Sequence, residues 1–166
     1  MKIVLIGFAT SGKSTVGAIL AKHLNLNFYD TDLLIEQAEH TSIQQIFTER
    51  GEEYFRQLEN NILQQLCNVD NAVIALGGGS VLCSNFSTLA QNSTVVWLQV
   101  NAESVVTRLQ GNNTRPLFSG QPPEKISQLL DKRTPLYQAA SNFAVDTNCH
   151  TPKEVAQQIL QLKSHH

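Results

Sequence analysis

Apolar positions along the chain fall into two alternating kinds of run. Short branched stretches recur at Lys2–Ile6, Phe28–Asp30, Val73–Leu76, Thr94–Val100 and Asn142–Val145. Their length and β-branched content predict buried β-strands. Between them, apolar residues recur every three or four positions, which predicts amphipathic helices. Lys13–Leu24 puts Val16, Ile19, Leu20 and Leu24 on one face. Ser42 is positioned to cap a helix through Ile43, Ile46 and Phe47 that stops at Gly51. Glu52–Leu66 follows, with Phe55, Leu58, Ile62 and Leu66 inward, and Ala102–Leu109 is a further helix. Ile126–Ala140 reads as helical in two pieces, because Pro135 lacks an amide donor and its ring crowds the preceding turn. The final helix has a defined start: Thr151 as cap, Pro152 at the first position and Glu154 completing a capping box, with Val155, Ile159 and Leu162 buried.

Strands separated by helices predict an α/β fold, a parallel sheet with helices on both faces. Such sheets bind ligands at the carboxyl ends of their strands. Gly111–Pro123 breaks the alternation, with the glycine, asparagine, serine and proline content and the length of a lid or a disordered connection.

Composition narrows the function. At 166 residues, 42% hydrophobic and 16% charged, the chain is expected to be one soluble globular domain. A net charge of −2 weighs against a nucleic-acid binder. The longest apolar runs, Ile3–Ile6 and Val95–Leu98, are far short of the ~20 residues that span a bilayer. The first apolar run leads directly into a glycine-rich loop and not into a cleavage site, so no signal peptide and no membrane association are expected. Cys67, Cys83 and Cys149 form no C-x-x-C pair, and the five histidines lack metal-ligand spacing. A reduced, cytoplasmic compartment and a monomer are the expectation.

The chemistry begins at Gly7-Phe8-Ala9-Thr10-Ser11-Gly12-Lys13-Ser14. This is G-x-x-x-x-G-K-S between a strand and a helix, the Walker A phosphate loop in its required context. Glycines let backbone amides turn toward phosphate oxygens, and the helix N-terminus adds partial positive charge. Lys13 is expected on the outer phosphates and Ser14 on Mg²⁺, so ATP with Mg²⁺ is the expected nucleotide partner. The spacing does not fit the dinucleotide fingerprint G-x-G-x-x-G.

The acceptor must be read elsewhere. Asp30 and Asp32 flank Thr31 after the second strand. They suit Mg²⁺ ligation or acceptance of a hydroxyl proton, and either could instead cap the next helix. Arg56 and Glu59 share a helix face, either as a surface ion pair or as a guanidinium oriented to grip a carboxylate. Gly77-Gly78-Gly79 ends a strand, either as a tight turn or as backbone in contact with substrate or with the γ-phosphate. Arg115 in the loop at 112–122 and Arg133 near Pro135 complete the set of candidate cations, with Arg108 on the helix leading into that loop.

Taken in order, these segments resemble the shikimate kinase family. The resemblance runs through Gly7–Ser14 with Thr15-Val16-Gly17; Asp30-Thr31-Asp32; Phe55-Arg56-Gln57-Leu58-Glu59; Ala75–Gly79; Thr114-Arg115-Pro116-Leu117; Arg133-Thr134-Pro135-Leu136-Tyr137; and Val145-Asp146-Thr147. It implies a P-loop fold of the nucleoside-monophosphate-kinase type: three layers, a five-stranded parallel sheet, a substrate-binding helical region near 32–59 and a lid near 112–122. It implies transfer of the ATP terminal phosphoryl to the 3-hydroxyl of shikimate. By resemblance, Lys13, Asp32 and Arg115 are catalytic. Gly7, Ser11, Gly12, Lys13, Ser14, Thr15, Arg108 and Arg115 hold the nucleotide, with residues near Pro152 on the adenine side. Asp32, Arg56, Gly77, Gly78, Gly79 and Arg133 hold shikimate, and Ser14, Asp30 and Asp32 attend Mg²⁺. The sequence departs from the family pattern at Thr10, where the loop usually carries glycine, and at Asn148-Cys149-His150, which lacks an arginine. A left-handed Thr10 would carry a modest strain.

Overall fold

β1 (Lys2–Ile6) is buried along its whole length, as the central strand of a sheet covered on both faces must be. The structure is a computed structural model that describes residues 1–110 and 121–164. β2 (Asn27–Asp30), β3 (Ala72–Ala75), β4 (Thr94–Gln99) and β5 (Phe143–Asp146) complete a sheet of order β2-β3-β1-β4-β5. Every neighbouring pair is parallel, with Ile3 opposite both Val73 and Thr94.

Alternate residues of each strand feed two cores, giving three layers. On one face Ile3, Leu5, Val73, Val96 and Leu98 pack with α1 (Lys13–Leu24) and α7 (Pro152–Ser164). On the other, Val4, Ile6, Ile74 and Trp97 pack with α3 (Ile43–Cys67), α5 (Ala102–Leu109) and α6 (Pro123–Ala140). Lys2 is also buried, and its ammonium donates to the carbonyls of Leu66 and Cys67, closing the C-terminus of α3.

The predicted strands are all present, each within a residue of its expected limits. Gly51 interrupts α3 with φ 82° and ψ 173°, so the expected stop there is a break between two helical halves. The two-piece reading of 126–140 is corrected: α6 is one element, and Pro135 lies inside it. Pro135 faces solvent, where water can serve the carbonyl that loses its amide partner, while Ile126, Leu130, Arg133 and Tyr137 keep the opposite face buried through the break. α2 (Thr31–Glu39) lies in the helical region near 32–59 that the resemblance implied, whereas α4 (Phe86–Gln91) was not predicted. The loop at 112–122 falls, except for its last two residues, outside the described residues, and Arg115 with it.

Candidate active site

The phosphate loop leaves β1 at Gly7, which has φ 148°, and a Cβ there would lie 2.6 Å from the Leu98 carbonyl oxygen. Gly12 caps α1 at φ 92°. Lys13 is buried and folded back over the loop, its ammonium donating to the carbonyls of Gly7 at 2.8 Å and Phe8 at 2.9 Å and to the Ser11 hydroxyl at 3.3 Å. Thr10 is left-handed at φ 66°, the conformation that glycine would occupy without strain.

At the neighbouring strand end Asp30 makes the helix cap that was one of its two readings. One oxygen, Oδ1, caps α2 by accepting from the amides of Asp32 at 3.0 Å and Leu33 at 3.2 Å. The other, Oδ2, accepts from the Ser14 hydroxyl. A carboxylate and a hydroxyl therefore meet at the start of α1. With Thr10, Gly12, Lys13, Thr15, Asp32, Leu76 and Arg108 they line an open cleft of about 240 Å³. Arg108 ties two loops together across this cleft: Nη1 donates to the Thr10 carbonyl at 2.8 Å and Nη2 to the Thr147 carbonyl at 2.9 Å. The segment around Pro152, expected on the adenine side, starts α7 and is exposed.

Beside the cleft, the three glycines after β3 leave room for charged side chains. A Cβ on Gly77 would come 2.7 Å from Glu59 Oε2 and 3.1 Å from Asp32 Oδ1. One on Gly78 would touch Arg133 Nη1 at 3.4 Å, and one on Gly79 would sit 2.5 Å from Arg56 Nη1. The segment is the tight turn that was one of its two readings, with the Ser80 amide donating to the Gly77 carbonyl at 3.1 Å, and side chains packed close against residues 77 and 79 leave no room there for a Cβ. Asp32, Arg56 and Arg133, far apart in sequence, thus converge on three consecutive residues.

The Arg56–Glu59 pair is not a solvated surface contact. Glu59 is fully buried, accepts from Arg56 Nη1 at 2.5 Å, and takes the Ser80 hydroxyl on its other oxygen at 2.8 Å. Burial works against the Arg56 charge, but Glu59 and then Glu52 outweigh it and hold the guanidinium above its ordinary pKa. Nη2 donates to Glu52 Oε1 at 3.4 Å, and the side chain is 24% exposed. Arg133 is buried, 5.8 Å above the Phe8 ring.

Three supporting residues escaped the sequence reading. Thr31 is fully buried, and its hydroxyl accepts from the Gly77 amide at 3.0 Å. Ser80 braces Glu59. Tyr137 is fully buried and donates to the Gly78 carbonyl at 2.6 Å; burial pushes its phenol up to about 12 against the pull of Arg133 and Arg56, so it remains a donor at neutral pH. Only Tyr137 left a sequence signal, four positions after Arg133 and hence on the same helix face.

A Walker A loop between a parallel strand and its helix, with carboxylates and arginines gathered at adjacent strand ends, defines a P-loop kinase. Comparison with known proteins narrows the class. Residues 9–163 match the family model for shikimate kinase, and the chain belongs to the shikimate kinase family. A shikimate kinase of Sulfurihydrogenibium sp. is 42% identical over 159 residues, covering 95% of each chain. The solved shikimate kinase from Acinetobacter baumannii in complex with shikimate superposes with a TM-score of 0.93 at 35% identity, covering 99% of this chain and 93% of that one. The Aquifex aeolicus enzyme superposes with a TM-score of 0.86 at 36% identity, covering 99% of this chain and 98% of the other.

Proposed function

We propose that this chain transfers the terminal phosphoryl group of ATP to the 3-hydroxyl of shikimate. The observation that carries the reading is the convergence on Gly77–Gly79 of one carboxylate, Asp32, and two arginines, Arg56 and Arg133, beside the phosphate loop. An acceptor bearing both a carboxylate and hydroxyls fits that set. Arg56 and Arg133 pair with the carboxylate, the fork of each guanidinium matching its geometry. Asp32 accepts a hydrogen bond from the ring hydroxyl that attacks. The relative solved with shikimate bound supports the same acceptor.

In the reaction the hydroxyl oxygen bonds to the γ-phosphorus, the bond to the β-phosphate oxygen breaks, and the hydroxyl proton passes to Asp32. Little covalent work falls to the protein, so catalysis consists of positioning and charge stabilisation. Lys13 exchanges its carbonyl partners for phosphate oxygens, and amides from Gly7 to Ser14 with the start of α1 surround the chain of phosphates. Arg108 fixes the loop at Thr10 against the loop at Thr147. Arg115 in the lid is assigned to the transferring phosphoryl by the family resemblance alone. The acceptor region at 32–59 and the lid at 112–122 belong, in this reading, to a single monomeric cytoplasmic domain.

The donor set also fits Mg²⁺, which takes oxygen ligands from one or two carboxylates and otherwise keeps water and substrate phosphates. The Ser14 hydroxyl and the Asp30 carboxylate, already in contact, would hold it, with Asp32 nearby. When bound, it neutralises phosphate charge.

The test is ADP release coupled to a chromogenic reaction, with Mg-ATP, with and without shikimate, for the wild type and for Arg56→Ala. Shikimate-dependent turnover that falls at least tenfold at subsaturating shikimate in the variant is expected. Folded protein with no shikimate dependence refutes the acceptor, and an unchanged variant refutes the carboxylate clamp.

A further inference from the structure

Within the phosphate loop, Thr10 is held in a conformation that works against its own side chain. It is β-branched, yet its φ is 66°, a region such residues rarely occupy. Its hydroxyl Oγ1 is buried and has no hydrogen-bonding partner among the described residues. Buried hydroxyls in native structures are nearly always paired, as those of Thr31 and Thr147 are here. Glycine at this position would remove both penalties at once. The residue cannot turn away either, because Arg108 holds its carbonyl at 2.8 Å.

Thr10 also lines the same cleft as Lys13, Ser14, Thr15 and Arg108. At the phosphate loop that cleft presents an ammonium, a guanidinium and a helix N-terminus, with the Asp30 and Asp32 carboxylates farther along its lining, a set that suits a phosphate chain accompanied by a cation. An anionic oxygen is the acceptor that an unpaired hydroxyl there can use, and a single χ1 rotation between staggered positions redirects it. We propose that Thr10 is a nucleotide-binding residue whose hydroxyl donates to a phosphate oxygen of bound ATP or ADP. The strain, and the missing partner among the described residues, are then the counterpart of a contact made only in the complex. This inference rests on the nucleotide-site reading given above, and departs from it in assigning a side chain, not only backbone amides, to the middle of the loop.

The experiment titrates the full-length wild type, Thr10→Ala, Thr10→Ser and Thr10→Gly with Mg-ADP by calorimetry, and follows thermal unfolding of each without nucleotide. Alanine and glycine variants are expected to bind about tenfold more weakly, the loss typical of a hydrogen bond to a charged acceptor. The serine variant keeps the hydroxyl and stays within about twofold of wild type on the same reasoning. Melting temperatures of the alanine and glycine variants, free of the orphaned hydroxyl, are expected to equal or exceed that of the wild type. Weakened binding with undiminished stability is a result that general damage to the loop does not produce. Thr10→Ala binding as tightly as wild type overturns the proposal, and so does a weakening that Thr10→Ser shares. A wild type that fails to bind Mg-ADP overturns the nucleotide-site reading itself, and with it this one.

Discussion

Gly79→Ala isolates the acceptor clamp. Gly79 has φ −97° and ψ 0°, angles that alanine adopts readily, so the substitution introduces a methyl group and no backbone strain. That methyl would sit 2.5 Å from Arg56 Nη1, 2.7 Å from Cζ and 2.8 Å from Nη2. Ordinary contact needs about 3.5 Å, so the guanidinium must retreat by roughly 1 Å. It cannot do so freely, because Nη1 is fixed to the fully buried Glu59 carboxylate, itself braced by Ser80. A retreat of that size displaces the fork that faces the acceptor carboxylate. A hydrogen bond to a charged group contributes about 1.5–3 kcal/mol, and each ~1.4 kcal/mol is tenfold, so the KM for shikimate should rise ~10–100-fold. The KM for ATP should stay within about twofold, since the phosphate loop is untouched. Steady-state ADP release over a shikimate titration gives both constants, and a thermal melt confirms folding. A folded variant with wild-type KM for shikimate would refute the claim that Gly79 exists to admit Arg56.

Tyr137→Phe removes the hydroxyl that donates to the Gly78 carbonyl. An unpaired buried acceptor costs about 1–3 kcal/mol, so Tm should fall by several degrees and the KM for shikimate should rise while that for ATP holds; differential scanning calorimetry with the same kinetic assay decides it, and wild-type values in both would refute the bracing role. Glu154 accepts from the Thr151 amide at 2.6 Å, and this bond, with the Thr151 hydroxyl, lowers its pKa below 4.5. A carboxylate whose folded pKa is depressed stabilises above its unfolded value and loses that contribution as pH falls through the folded one. The Tm difference between wild type and Glu154→Ala should therefore be open at pH 7 and close as pH drops below 4.5; a gap that persists in acid would show that the capping box acts through something other than charge.

Sequence carried the sheet, because buried parallel strands are read from uninterrupted branched runs, and carried the phosphate loop, because its spacing is dictated by phosphate geometry. It carried less of what surrounds them. α4 spans only Phe86–Gln91, too short for periodicity to register. α6 was divided at Pro135 because the rule that proline breaks helices assumes a buried backbone, and this proline faces water. Arg56 and Glu59 were visible as a pair by spacing, but spacing is silent on depth, and full burial of Glu59 is what makes the pair rigid. Thr31 and Tyr137 act through backbone groups 46 and 59 positions away, and Ser80 through a carboxylate 21 away, a relation that no local pattern records. The expected strain at Thr10 is present, whereas its unpaired hydroxyl became apparent only in three dimensions.

The tripeptide Asp30-Thr31-Asp32 has a further consequence. Asp30 reaches Ser14 at the nucleotide end, Thr31 is fastened to the Gly77 amide, and Asp32 points its oxygen at the acceptor loop. In the proposed reading, the seats of the two substrates are mounted on one short bracket where β2 meets α2, a few bonds apart. Breathing of α3, which carries Arg56, then need not alter the interval across which the phosphoryl group must travel. Alignment of the two substrates is, in that reading, largely set when the chain folds.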